Sequence, residues 1–104
     1  MAKGNCYENC ARFMIQSDNA KDWTLCHGTA FGRGGEADGL WFGHAWLEKV
    51  DVAMDLTRDK WGESHKFPTV VYHALGNVRD VTEYTCKEAL LMLVQHEHYG
   101  PWGD

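Results

Sequence analysis

The sequence has no long apolar run: nothing in its 104 residues approaches the ~18 consecutive apolar residues of a membrane-spanning helix. It has no excess of positive charge either. Lys and Arg number 10 against 15 Asp and Glu, a formal net charge of -5. That balance argues against nonspecific nucleic-acid binding, which needs a basic face. There is no internal repeat and no low-complexity segment. The opening Met1-Ala2-Lys3-Gly4-Asn5-Cys6 carries no apolar stretch behind its charge, so no export signal and a cytoplasmic location are expected. The stretch Gly32–Gly39 holds four glycines but lacks the Lys-Ser/Thr ending and the strand-to-helix setting of a phosphate loop.

What is present suits one folded domain over residues 1–104, with 44% hydrophobic and 24% charged residues. The four cysteines, at positions 6, 10, 26 and 86, are expected to be free thiols in a reducing compartment.

The pattern predicts a first helix from Cys6 to Gln16, with Asn5 as N-cap and Glu8 at the capping-box spacing. Cys10, Phe13 and Met14 share its buried face. A polar loop follows over residues 17–22, then a strand from Trp23 to Phe31. The clearest strand is Leu40 to Glu48. A reversal at Lys49-Val50 leads into a strand from Asp51 to Thr57. Residues 58–66 read as polar and irregular. Thr69 to Leu75 is rich in β-branched residues and is expected to be a strand, closed by a Gly76-Asn77 turn, with Val78 to Val81 continuing the sheet. Thr85 with Glu88 starts a last helix, Cys86 to His98, which ends before Gly100-Pro101. The fold class expected is α+β, with helices on a small antiparallel sheet.

Three residues form a candidate constellation. Cys6 sits at a helix N-terminus, where the positive end of the dipole favours the reactive thiolate. With the reversal centred between Lys49 and Val50, paired residue numbers sum to 99, so His44 faces Asp55 across the hairpin. The carboxylate can then hold one imidazole nitrogen and leave the other for a thiol proton. Phe42, Trp46 and Glu48 share the His44 face by alternation. Trp46 reads either as an aromatic wall beside the site or as core packing, and Glu48 as a solvated charge at the strand end.

Gly4-Asn5-Cys6-Tyr7 opening a helix, His44-Ala45-Trp46-Leu47-Glu48 on a strand and Asp55-Leu56-Thr57 ending the next together resemble the transglutaminase-like core. That core belongs to the papain-like cysteine-peptidase superfamily. Leu56 stands where that family has proline. The resemblance implies a papain-like fold, Cys6 as nucleophile, His44 as general base and acid, and Asp55 as the residue orienting His44. It implies acyl transfer from a peptide or other amide substrate through a thioester. The oxyanion would be held by the Cys6 backbone N–H and one further donor, for which Asn5 is the candidate. A catalytically silent binding or inhibitory protein that keeps the fold and takes a protein partner is the alternative.

Cys6, Cys10, Cys26 and His27 include soft ligands suited to zinc. However, Cys6 and Cys10 lie one helical turn apart, and adjacent Cys26 and His27 point to opposite strand faces. His96 and His98 do not face each other on a helix. No metal site and no cofactor are therefore expected.

Overall fold

A computed structural model describes residues 5–32, 39–56 and 65–102. In chain order these form α1 (Asn5–Gln16), a 3-10 turn (Ala20–Asp22), β1 (Thr24–Phe31), β2 (Trp41–Lys49), β3 (Val52–Asp55), β4 (His65–Pro68), α2 (Thr69–Gly76), β5 (Arg79–Tyr84) and α3 (Cys86–His96). The strands make one antiparallel sheet in the order β4-β3-β2-β1-β5. With three α-helices on it, this is an α+β fold. No helix among the described residues is long and apolar enough to cross a membrane.

The two faces of the sheet are covered differently, and β2 shows why. Ala45 and Leu47 pack with Leu25, Met54 and the α1 residues Cys6, Cys10 and Met14. Those three α1 residues recur every four positions, so one side of the helix is apolar and buries itself on the sheet. Small residues let α1 come close. A β-carbon on Gly43 would stand 2.8 Å from the Tyr7 hydroxyl, so a side chain there would push the Tyr7 ring aside. The alternate residues of β2 point to the other face. There Trp46 packs with Cys26, Ala53 and the α2 residue Tyr72, flanked by Phe67 and Val78.

The β2–β3 hairpin differs in register from the expected one. Leu47 pairs with Met54, Glu48 with Ala53 and Lys49 with Val52, so paired numbers sum to 101 and the two-residue turn is Val50-Asp51. The turn moves by one residue because Lys49 remains in the ladder, and Val50 takes a left-handed φ of 54° to close it. His44 is therefore not opposite Asp55. Since the sum changes by two, the parity survives, and the two residues stay on one face as diagonal neighbours.

Thr69–Leu75 is a helix, which corrects the expected strand. Pro68 stands at its N-cap, and Asn77, in the left-handed conformation, ends it by donating its N–H to the carbonyls of Ala74 and His73. The Gly76-Asn77 pair is thus a helix terminus and not a hairpin turn. As a helix, the segment buries Tyr72 and leaves Val70 exposed, which overrides the β-preference of its valines. His65 and Lys66, expected to be irregular, belong to β4. The rest of that region, residues 57–64, and residues 33–38 of the glycine-rich connection lie outside the described residues.

α3 begins as expected. The Glu88 N–H donates to Thr85 Oγ1 at 3.1 Å and the Thr85 N–H to Glu88 Oε1 at 2.9 Å, a complete capping box. It ends at His96, two residues early, where Glu97 turns left-handed. α1 begins one residue early, at Asn5, and Glu8 pairs with Arg12 at 2.8 Å.

Candidate functional site

Cys6 lies in the first turn of α1 and is 4% exposed. The N–H groups of that turn have no intrahelical acceptor and carry the positive end of the helix dipole. His44 projects from β2 and Asp55 is the last residue of β3. β3 stops there, and at this end of β2 the start of α1 approaches the imidazole. Asn9, one turn beyond Cys6, fixes the approach by donating its amide N–H to the Leu56 carbonyl at 2.9 Å.

His44 Nε2 meets Asp55 Oδ2 at 3.1 Å and the Tyr72 hydroxyl at 2.9 Å. The Tyr72 hydroxyl donates to the same Asp55 oxygen at 2.6 Å. With that hydroxyl proton committed to Asp55, Nε2 carries a proton and donates it into the Asp55–Tyr72 pair, which fixes the ring. The other nitrogen, Nδ1, is buried and makes no hydrogen bond of ordinary geometry among the described residues. It is the nitrogen left for Cys6.

Burial is the largest single influence on the imidazole and pushes its pKa down. Hydrogen bonding and negative charge from Asp55 and Cys6 push it up and prevail, so His44 is raised to about 9. The ring holds its proton at neutral pH. Tyr72 is pushed far above the usual phenol range by burial and by Asp55, so it stays a neutral donor. Cys10, one turn along α1, is fully enclosed. Burial first, then the charges of Cys6, Asp55 and Cys26, push its thiol well up, as expected of a core cysteine.

Cys6, His44 and Asp55 therefore come together. Trp46 is fully buried, with its ring stacked on His44 at a centroid distance of 5.8 Å and an angle of 23°. It lies behind the imidazole, in the core. The Asn5 side chain is outside the described residues. All four cysteines are free. Glu48 is not a solvated edge charge, because its Oε2 accepts from Trp46 Nε1 at 2.8 Å and from His73 Nε2 at 2.5 Å.

Nothing in the sequence singles out Tyr72. Its segment reads as a strand, and only the helical geometry of α2 delivers the hydroxyl to Asp55. Beside the site, a groove of about 370 Å³ runs along α1, lined by Asn9, Arg12, Phe13, Gln16, Ser17 and Leu56. The zinc set weighed from the sequence does not assemble, since Cys26 packs on the Trp46 face and His27 on the α1 face against Tyr7. Compared with known proteins, the chain matches no family model, no curated protein and no solved structure.

Proposed function

We propose that the chain is a small papain-like, transglutaminase-like cysteine hydrolase or acyltransferase acting on a peptide or other amide bond. The observation that carries this reading is the imidazole of His44. One nitrogen is locked by Asp55 and Tyr72, and the other is enclosed, unpaired and next to the Cys6 end of α1.

In this reading the Cys6 sulfur attacks the substrate carbonyl carbon and a carbon–sulfur bond forms. The carbonyl oxygen becomes an oxyanion, held by the backbone N–H of Cys6 at the helix start. The intermediate collapses, the carbon–nitrogen bond breaks, and the leaving amine takes its proton from the His44 imidazolium. The neutral imidazole then removes a proton from water or an acceptor amine, which attacks the thioester and frees Cys6. Asp55 and Tyr72 keep the ring aligned through both halves. A cation is best accommodated at His44 because Asp55 faces it.

One observation favours the second reading, a binding protein without turnover. Cys6 and His44 are 4% and 6% exposed, so little of either side chain is open to a substrate. Labelling with a chloroacetamide electrophile, followed by peptide mapping, separates the two. The catalytic reading expects Cys6 to be labelled faster than Cys10 and Cys86, and His44→Ala to abolish that preference. Labelling of Cys6 no faster than the others, or an unchanged rate in His44→Ala, would replace it with the binding reading.

A further inference from the structure

A second cluster of reactive side chains lies on the same sheet face as His44, away from Cys6. β1 pairs Cys26 with Trp46 on one side and with Glu83 on the other, and Glu48 follows Trp46 by two residues on β2. Parity thus puts Cys26, Glu48 and Glu83 on one face. The Cys26 sulfur and one carboxylate oxygen each of Glu48 and Glu83 all lie within 4.8 Å of one another.

We propose that Cys26, Glu48 and Glu83 form a binding site for a divalent zinc ion.

Three independent features support it. The first is the thiol. Cys26 has no exposed surface and makes no hydrogen bond with any described residue, and its sulfur is aimed at two carboxylates. Two acidic groups beside a buried sulfur are a poor arrangement without a cation. A bound cation would offset the carboxylate charge and bind the sulfur as thiolate, the thiol proton passing to water.

The second feature is the preparation of Glu48. Trp46 Nε1 and His73 Nε2 both donate to Oε2. This leaves Oε1 with its lone pairs uncommitted among the described residues. Fixing one carboxylate oxygen so that the other can bind is the work of an outer shell around a metal. The third is charge. Among the described residues no lysine or arginine pairs with Glu48 or Glu83, whose only ionic partner is His73 on Glu48.

The ligand set selects the ion. One thiolate and two carboxylates suit zinc, which takes sulfur at about 2.3 Å and oxygen at about 2.0–2.2 Å. Tetrahedral ligand atoms then stand roughly 3.5 Å apart, so the three need close by no more than about 1.3 Å. Glu83 is exposed and at the sheet edge, free to swing inward. Hard cations such as magnesium avoid thiolate and would be rejected. No knuckle spacing marks these ligands, because each comes from a different strand.

The test is cobalt titration of the whole protein after treatment with a chelator, with zinc as competitor. We expect one equivalent of Co2+ to produce the near-ultraviolet sulfur-to-cobalt band and Zn2+ to erase it. Glu83→Gln, at an exposed position, should weaken binding roughly tenfold or more without loss of fold. Cys26→Ser should remove the band, whereas Cys6→Ser and Cys86→Ser should keep it. Zinc should also raise the Tm of the wild type and not that of Glu83→Gln. No band in the wild type, a band unaffected by Glu83→Gln, or one lost in Cys6→Ser and kept in Cys26→Ser overturns the proposal. None of these outcomes bears on the labelling of Cys6 as a nucleophile, so the two readings fail separately.

Discussion

The Tyr72 hydroxyl and His44 Nε2 converge on a single oxygen, Asp55 Oδ2, at 2.6 and 3.1 Å. Asp55 therefore divides its charge between a phenol and an imidazole. Asp55→Asn removes the main upward influence on His44, so the ring should titrate at least one unit below its wild-type value of about 9. Tyr72→Phe frees Asp55 for His44 and should move the titration upward. Ring-proton NMR across pH 6 to roughly 10 reads both shifts. Shifts of the same sign in the two variants would show that Tyr72 does not compete for Asp55.

The same substitution should separate positioning from chemistry. Loss of the Tyr72 donor leaves Asp55 one hydrogen bond short, at a cost of about 2 kcal/mol for a charged acceptor. Tyr72→Phe should lower Cys6 alkylation several-fold and change its dependence on pH. A purely structural role would change the Tm and leave the pH profile in place.

Cys10→Ala tests the assignment from the opposite side. The thiol is enclosed in the α1–sheet core, so its loss should cost on the order of 1 kcal/mol in urea unfolding. Cys6 labelling should proceed at the wild-type rate. A tenfold fall in that rate would move Cys10 into the reacting group.

Two histidines set opposite limits on stability. His44, raised to about 9, contributes stability that is complete below its unfolded value near 6.5 and is lost as pH rises through 9. His27 is boxed by Tyr7, Tyr84 and Trp102, with both ring nitrogens unpaired, and burial lowers it to about 4. The unfolded chain binds that proton more tightly, so stability falls as pH drops from about 6.5 to 4. Unfolding free energy should peak near pH 6.5 and drop by on the order of 2 kcal/mol on each side. His44→Gln should flatten the alkaline limb, and His27→Leu the acid limb. Urea titrations at three pH values settle the point, and a profile with its maximum at pH 8.5 would contradict it.

Val50 holds a left-handed φ of 54° at an exposed turn position, which a β-branched residue adopts at a cost. Val50→Asn should stabilise the hairpin by about 1 kcal/mol, read as a higher Tm with no change in Cys6 labelling.

Much of this arrangement is legible in local chemistry. Thr85 and Glu88 announce α3 because a capping box involves only neighbours in sequence. The common face of His44 and Asp55 follows from alternation along two strands, and it does not depend on the exact turn because a one-residue move of the turn changes the register sum by two. The register itself turns on Val50 accepting an unfavourable φ, which no turn signal advertises. α2 is illegible for a related reason. Its valines favour a strand, and the helix is selected by what Tyr72 reaches across the fold. The convergence of Cys26, Glu48 and Glu83 depends on β5 lying beside β1, a pairing between segments distant in the chain.

β2 carries two interleaved sets of residues. Gly43, Ala45 and Leu47 serve the α1 side, while Phe42, His44, Trp46 and Glu48 serve the other. The strand is therefore sensitive to the parity of insertions and deletions. Removing Ala45 would turn over the strand on one side of the gap, either sending Trp46 to the α1 side or turning His44 away from Asp55. Removing two residues would shorten the strand yet leave every remaining side chain on its own side. Length variation in this strand is thus confined to even steps, while the Val50-Asp51 turn beyond the ladder is free of that constraint.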